Sequence, residues 1–168
     1  VGFGGVRGGS GGVNAEKMAE VLRSFTGVEH RMKYVAAIEG IEYYNDSKAT
    51  NPESSIKALE AFNGNIVLIA GGRDKNTDLG EIMTLARQKV DHLVLIGEAQ
   101  ERFAAQAEKY GINNIHRATN LEEAVTKAHL LAVPPQIVLL SPACASYDMF
   151  DNYEQRGRVF KELVMRLA

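Results

Sequence analysis

The residues Ile66-Val67-Leu68-Ile69-Ala70, closed by Gly71-Gly72, decide the fold of this chain. Five apolar residues without polar alternation predict a strand that is covered on both faces, which is typical of a parallel sheet. The run at Ile137–Leu140 has the same character and follows the helix-breaking pair Pro134-Pro135. We therefore expect a mainly parallel sheet between layers of helices.

On both sides of this strand, short apolar runs alternate with segments whose apolar residues repeat at helical spacing. The predicted helices cover 14–27, 52–62, 79–90, 99–110, 121–131 and 152–167, and the predicted strands cover 32–38, 41–44, 66–70, 93–96, 112–116 and 137–140. Such alternation favours right-handed crossovers and therefore an α/β fold of the Rossmann-like, doubly wound class, with flanking helices. Glu39-Gly40 predicts a two-residue turn, which adds an antiparallel hairpin at one edge of the sheet.

Composition indicates one globular domain without nucleic-acid or membrane partners. The 168 residues are 45% apolar and 24% charged, and the net charge of −2 gives no field that would attract nucleic acid. No apolar run is long enough to predict a membrane span, and the first residues lack the charged and then apolar pattern that would predict a signal peptide. A single cysteine, Cys144, fits a reducing compartment, so we expect a cytoplasmic protein, and we expect a monomer. The four histidines show no metal-ligand spacing, so no metal site is expected in this chain.

Residues 1–13 differ from the rest, because seven of them are glycine. Such a segment behaves as flexible coil, and we interpret it as a linker, natural or artificial, ahead of a domain at 14–168. A Walker-type phosphate loop needs a lysine that Gly11-Gly12-Val13-Asn14 lacks.

Polar loops follow three of the predicted strands. Asn45-Asp46-Ser47-Lys48-Ala49-Thr50-Asn51 leads into a helix, whose free N–H groups attract anions. Helix capping by Thr50 or Asn51 explains part of this motif, but it does not call for Asp46 and Lys48. Gly71-Gly72 with Lys75 fits a ligand clamp and a plain turn equally well.

Ser141-Pro142-Ala143-Cys144-Ala145-Ser146 follows the last strand and supplies room and two hydroxyl groups. No histidine lies near Cys144 in the sequence, so a buried structural cysteine is favoured over a nucleophile. Two further segments combine charged and aromatic residues, namely Glu29-His30-Arg31 and Asn152-Tyr153-Glu154-Gln155-Arg156-Gly157. Arg31 fits either a surface charge or a phosphate-binding guanidinium.

Taken together, these five segments resemble the C-terminal domain of the Mur ligases, in the family's order and across 14–168. The resemblance is to the branch of the family that adds D-glutamate. It implies an ATP-dependent ligase of peptidoglycan synthesis that joins D-glutamate to UDP-N-acetylmuramoyl-L-alanine through an acyl phosphate. The rest of the family's machinery, including the Mg²⁺ ligands, the phosphate loop and the UDP site, is expected in central and N-terminal domains. By itself the chain is expected to be inactive.

The resemblance also implies roles for individual residues. Thr50 and Lys75 would hold the side-chain carboxylate of D-glutamate, and Ser146 would hold its α-carboxylate with Tyr147 and Tyr153 beside it. Leucine and phenylalanine are usual at the last two positions, so both tyrosines depart from the family pattern. The nucleotide or the transferring phosphate would face Arg31, Asp46 and Lys48, with His30 nearby; of these, Arg31, Lys48 and His30 would be catalytic.

Three alternatives remain at this stage. A folylpolyglutamate synthase-like ligase shares the fold but would prefer L-glutamate. A stand-alone nucleotide-binding module would want a Gly-x-Gly-x-x-Gly pattern after its first strand, which Gly8-Gly9-Ser10-Gly11-Gly12 does not provide. A purely structural domain predicts that Thr50, Lys75 and Ser146 lie far apart.

Overall fold

The computed structural model of the chain describes residues 20–21 and 28–168. The glycine-rich segment 1–13 lies outside these residues, as does the helix predicted over 14–27 apart from Glu20 and Val21, which are helical. Among the described residues, none of the helices combines the length and the apolar character needed to cross a membrane.

Six strands and five helices follow one another over the segment 28–168. The strands are β1 (Lys33–Ile38), β2 (Ile41–Asn45), β3 (Ile66–Gly71), β4 (Val90–Ile96), β5 (Ile115–Arg117) and β6 (Ile137–Leu140). The helices are α1 (Pro52–Glu60), α2 (Gly80–Lys89), α3 (Gln100–Lys109), α4 (Leu121–Leu131) and α5 (Tyr153–Met165).

The six strands form one sheet in the order β1-β2-β6-β3-β4-β5. β1 is antiparallel to β2, and the other neighbours are parallel. From β3 the chain moves outward through β4 to β5 and then returns to place β6 between β2 and β3. Because crossovers are right-handed, this reversal puts α1, α2 and α3 on one face and α4 and α5 on the other. The predicted doubly wound fold with an antiparallel edge hairpin is confirmed.

Two strand boundaries differ from the prediction. β4 begins at Val90 rather than at residue 93, because Val90 and His92 pair with β3 although polar residues interrupt the apolar run. β5 covers Ile115–Arg117 rather than 112–116. Ile112 is buried in the core, but it reaches the core from a loop. The apolar character of Ile112 therefore made the predicted strand begin three residues before the observed one.

The carboxyl ends of β2, β6 and β3 meet at one edge of the sheet, where the direction of the crossovers reverses. Doubly wound folds bind their ligands at such a point. Since β1 is antiparallel, its beginning lies at this same edge, where Lys33 pairs with Asn45. The segment before β1, which contains His30 and Arg31, is thereby brought to the loops after β2.

Candidate functional site

The three loops at this edge are joined to one another by backbone hydrogen bonds. The bonds run from Ala143 N–H to Ala49 O (3.1 Å), from Gly71 N–H to Pro142 O (2.9 Å) and from Arg73 N–H to Ala145 O (2.9 Å). Thr50 and Ser146 each directly follow a bonded residue, and Lys75 lies just beyond Arg73. The folded chain therefore collects Thr50, Lys75 and Ser146 on neighbouring loops.

Asp46 is a buried carboxylate at the centre of the edge. Its Oδ1 accepts the backbone N–H of Met32 (3.1 Å), and its Oδ2 accepts the hydroxyl of Ser141 (2.7 Å). Burial raises the pKa of Asp46 to about 6, although both hydrogen bonds and the charge of Arg31 oppose the shift. Asp46 therefore links the start of β1 to the loop after β6 and changes charge within a physiologically relevant range.

A cavity of about 180 Å³ opens beside Asp46. Its lining is formed by Arg31, Met32, Asp46, Lys48, Ala49, Ser54, Lys57 and Ala58. Three of these side chains are cationic, and the N-terminus of α1 supplies N–H groups to the same region. Asn51 is the N-cap of α1, because its Oδ1 accepts Ser54 N–H at 2.9 Å, which leaves Thr50 without a capping role. The cavity has the charge and the donors to bind an anion.

His30 is buried and held in one orientation. Asn45 Oδ1 accepts the N–H of Ser47 (3.1 Å), so Asn45 Nδ2 faces the ring and donates to His30 Nδ1 (3.0 Å). Nδ1 is thus an acceptor, and the neutral ring carries its proton on Nε2. Burial lowers the pKa of His30, which favours this neutral form.

Glycine at position 157 makes room for the histidine ring. A Cβ there would overlap His30 Nδ1 and would lie 2.7 Å from Cε1. Gly157 O also accepts a hydrogen bond from Asn45 Nδ2 (3.2 Å). The Gly157 of the predicted motif is therefore a packing position against His30.

Tyr153 lies against Lys48 and His30. Its hydroxyl accepts from Lys48 Nζ (3.0 Å), the lysine nitrogen is 5.2 Å from the ring centre, and His30 meets the ring edge-on. These contacts place Tyr153 beside the cationic cavity, and among the described residues no hydrogen bond or ring contact joins Tyr153 to Ser146. The tyrosine hydroxyl holds Lys48 by this hydrogen bond.

The expected amino-acid-binding residues differ in exposure. Lys75 is exposed, Thr50 is half-buried, and Tyr147 is 65% exposed. Ser146 is 2% exposed, and its hydroxyl is a buried polar atom without a partner among the described residues. Such an orphan hydroxyl is rare in folded proteins and is consistent with a ligand partner. Because this hydroxyl is buried, a ligand can reach it only after a local rearrangement.

Arg156 is the residue of this edge that the sequence analysis missed. It is 1% exposed and donates to Ser47 Oγ (2.9 Å), Ser47 O (2.7 Å) and Cys144 O (2.9 Å). Burial lowers its pKa to about 10, so it stays cationic at neutral pH. Arg156 fastens α5 to the loops after β2 and β6.

A sequence signal for Arg156 exists. It stands four, seven and eight positions before the buried Phe160, Leu163 and Val164, and therefore on the apolar face of α5. A charged residue on such a face needs polar partners inside the protein.

Cys144 is buried, and burial raises the pKa of its thiol to about 12. The thiol stays protonated, in agreement with a structural cysteine rather than a nucleophile. Within residues 20–21 and 28–168, no group of three or more His, Cys, Asp or Glu side chains is arranged to hold a metal ion.

Comparisons with known proteins agree on a family. A family model described as the glutamate ligase domain of the Mur ligases matches residues 30–144. The UDP-N-acetylmuramoylalanine–D-glutamate ligase of Caldicellulosiruptor bescii is 47% identical over 156 residues, which are 93% of this chain and 34% of that protein. The enzyme of the same name from Caldanaerobacter subterraneus subsp. tengcongensis is 49% identical over 158 residues, or 93% of this chain and 35% of that protein. The chain thus spans about a third of the length of these curated relatives.

Solved structures share the fold at low sequence identity. Mycobacterium tuberculosis folylpolyglutamate synthase, complexed with ADP and AMPPCP, superposes with a TM-score of 0.57 at 18% identity over 80% of this chain and 32% of that chain. The UDP-N-acetylmuramate-alanine ligase of Thermotoga maritima gives a TM-score of 0.56 at 18% identity over 89% of this chain and 33% of that chain. These two likenesses concern the fold alone.

Proposed function

The chain belongs to the Mur ligase family, and from that premise we propose that it carries the D-glutamate site and one side of the ATP site of a muramoyl-peptide ligase. The whole protein would join D-glutamate to UDP-N-acetylmuramoyl-L-alanine in peptidoglycan synthesis, in the cytoplasm. Two relatives share 47% and 49% of their residues with this chain over 93% of its length. Both are named as D-glutamate ligases, which supports this choice of substrate.

The observation that carries the proposal is the hydrogen-bonded junction of the loops that hold Thr50, Lys75 and Ser146. A dicarboxylate needs two separate clamps. Lys75 with the hydroxyl of Thr50 supplies one clamp, and Ser146 supplies the other. Fixing both ends of D-glutamate would orient its amine towards the activated carboxyl group, and positioning of this kind accounts for much of such catalysis.

The cavity beside Asp46 fits the anionic part of a nucleotide, because Arg31, Lys48 and Lys57 line it. When bound, ATP supplies the phosphoryl group that activates a carboxylate of the UDP-sugar substrate as an acyl phosphate. Arg31 and Lys48 would hold the transferring phosphate and stabilise its charge. Tyr153 fixes Lys48, and the neutral His30 fixes the backbone beside it, since His30 O accepts Lys48 N–H at 2.9 Å.

The remaining chemistry exchanges the C–O bond to phosphate for a C–N bond. The uncharged amine of D-glutamate would attack the activated carbonyl carbon, inorganic phosphate would leave, and the proton lost from the nitrogen would pass to the leaving phosphate or to water. No side chain of this site needs to act as a nucleophile. The residues that the structure describes do not fit a Mg²⁺ site, because no group of three or more His, Cys, Asp or Glu side chains among them is arranged to hold a metal ion.

The experiment is an amide NMR titration of this chain with D-glutamate and then with L-glutamate at equal concentrations. We expect shifts around Thr50, Lys75 and Ser146 with the D form only, and we expect Lys75→Met to abolish them. Lys109→Met, at an exposed lysine at the end of α3, is the matched control and should leave them intact. An equal response to both forms would favour a folylpolyglutamate synthase-like specificity. Silence with both forms would contradict a preformed D-glutamate site in this chain.

A further inference from the structure

A network of charged side chains holds the loop that carries Lys75. None of these side chains has a role in the proposed function. The backbone N–H of Asp74 donates to Glu98 Oε1 (3.0 Å), and Asp74 Oδ1 accepts the N–H of Asn76 (2.8 Å). Glu98 is itself tied to the loop after β6, because its N–H donates to Asp148 Oδ2 (2.9 Å). Both chain neighbours of Lys75 are therefore fixed.

Arg102 on α3 completes this network. Its Nε lies 3.2 Å from Asp74 Oδ1 and 3.3 Å from Oδ2, and its Nη2 donates to Thr77 O (2.6 Å). Only about a quarter of either side chain is exposed, 27% for Arg102 and 26% for Asp74. The planar guanidinium thus donates hydrogen bonds to a carboxylate and a carbonyl at the same time. A lysine ammonium has no such planar set of donors and fits this geometry less well.

Lys75 is exposed, and its ammonium forms no hydrogen bond or ion pair with any described residue. The acidic side chain nearest to it in sequence, Asp74, is occupied by Arg102. Without Arg102, the Asp74 carboxylate would lose its cationic partner, and the ammonium of Lys75, the next residue along the chain, would be attracted to it. A substrate carboxylate would then compete with an internal one.

We propose that Arg102 is a positioning residue for Lys75: by pairing with Asp74 and holding Thr77, it keeps the Asp74 carboxylate from Lys75 and leaves the ammonium free for a carboxylate of the amino-acid substrate. The identity of that substrate rests on the proposed function. The pairing of Arg102 with Asp74, and the effect of that pairing on Lys75, are independent of the proposed function.

The test uses Arg102→Gln, Asp74→Asn and the double variant of this chain, with two readouts. The first is the pKa of the Lys75 ammonium, followed by side-chain NMR without any ligand. In Arg102→Gln this pKa should rise, because a carboxylate stabilises the charged form, and in the double variant it should return to the parent value. The second is the Kd for D-glutamate, which should weaken about threefold to tenfold in Arg102→Gln and recover in the double variant.

Two further variants separate positioning from folding. Arg102→Lys should restore part of the affinity, because a cation near Asp74 remains. Arg166→Gln, at an exposed arginine after α5, should change neither readout. An unchanged Lys75 pKa in Arg102→Gln overturns the proposal, and so does a double variant that stays as weak as Arg102→Gln. If the parent chain binds no D-glutamate, the proposed function fails, while the Lys75 pKa still decides the role of Arg102.

Discussion

At the scale of single residues, Asp46 combines burial with a titration near neutral pH. Its pKa is about 6 in the folded chain against an ordinary value of 3.8, so the folded state binds its proton more tightly than the unfolded state. This contribution to stability is complete below pH 4 and is lost as the pH rises through about 6. With 1.36 kcal/mol for each pKa unit, a shift of this size corresponds to about 3 kcal/mol.

Asp46→Asn should therefore flatten the fall in the free energy of unfolding between pH 4 and pH 6, which urea denaturation at each pH would measure. His30 gives a trend of the opposite sign, because burial lowers its pKa and its contribution is lost as the pH falls below about 6.5. That trend should remain in Asp46→Asn. If the free energy of unfolding fell equally with pH in the parent chain and in Asp46→Asn, the fall could not be assigned to Asp46.

Gly157 gives a second prediction at this scale. Alanine in place of glycine inside a helix usually stabilises by about 0.5–1 kcal/mol. Here the added Cβ would overlap the ring of His30, so Gly157→Ala should instead lower the free energy of unfolding by about 1–3 kcal/mol. In the background of His30→Ala the ring is gone, and the same change should be neutral or stabilising. Urea denaturation of the four proteins measures the coupling, and additive effects would contradict the packing argument.

At the scale of elements, Arg156 connects α5 to two loops that belong to other parts of the sheet. Arg156→Met would leave Ser47 O and Cys144 O without their buried donor, and each such loss costs about 1–3 kcal/mol. We expect the free energy of unfolding to fall by about 3 kcal/mol, with faster hydrogen exchange in the loops after β2 and β6. Arg156→Lys should retain part of the stability.

Arg166→Met is the control for this prediction, because Arg166 is exposed at the other end of the same helix. Its effect should stay within about 0.5 kcal/mol. Equal losses in Arg156→Met and Arg166→Met would mean that the buried hydrogen bonds do not hold the loops.

The sequence predicted the elements and the antiparallel edge hairpin but not the order of the parallel strands, for a physical reason. Apolar runs and helical spacing identify a strand such as Ile66–Gly71 from local residues alone. The bond from Ser141 to Asp46 joins residues 95 positions apart and exists only because β6 inserts between β2 and β3. Nothing local in either loop encodes that insertion. The polar loops after the strands were therefore predictable, whereas the hydrogen bonds between them were not.

Burial limited the prediction in the same way. The types of residue at Ser146 and Tyr153 were read from the sequence, but the structure covers the Ser146 hydroxyl and turns Tyr153 towards Lys48. Tyr153 is the first residue of α5, so its position depends on how α5 packs, and Arg156 and Gly157 contribute to that packing. Arg156 was the missed signal, since it interrupts an otherwise apolar helix face.

At the scale of the whole molecule, the chain spans about a third of the length of its curated relatives. Cationic side chains line the cavity beside Asp46, and the proposed function assigns to this chain only the clamps for D-glutamate and one side of the ATP site. The purified chain should therefore bind D-glutamate but release no phosphate from ATP in the presence of D-glutamate and UDP-N-acetylmuramoyl-L-alanine. A phosphate-release assay, with one substrate omitted at a time, measures this. Steady release that needs all three substrates and disappears in Lys75→Met would show that this chain alone completes the reaction, and the division of labour proposed above would be wrong.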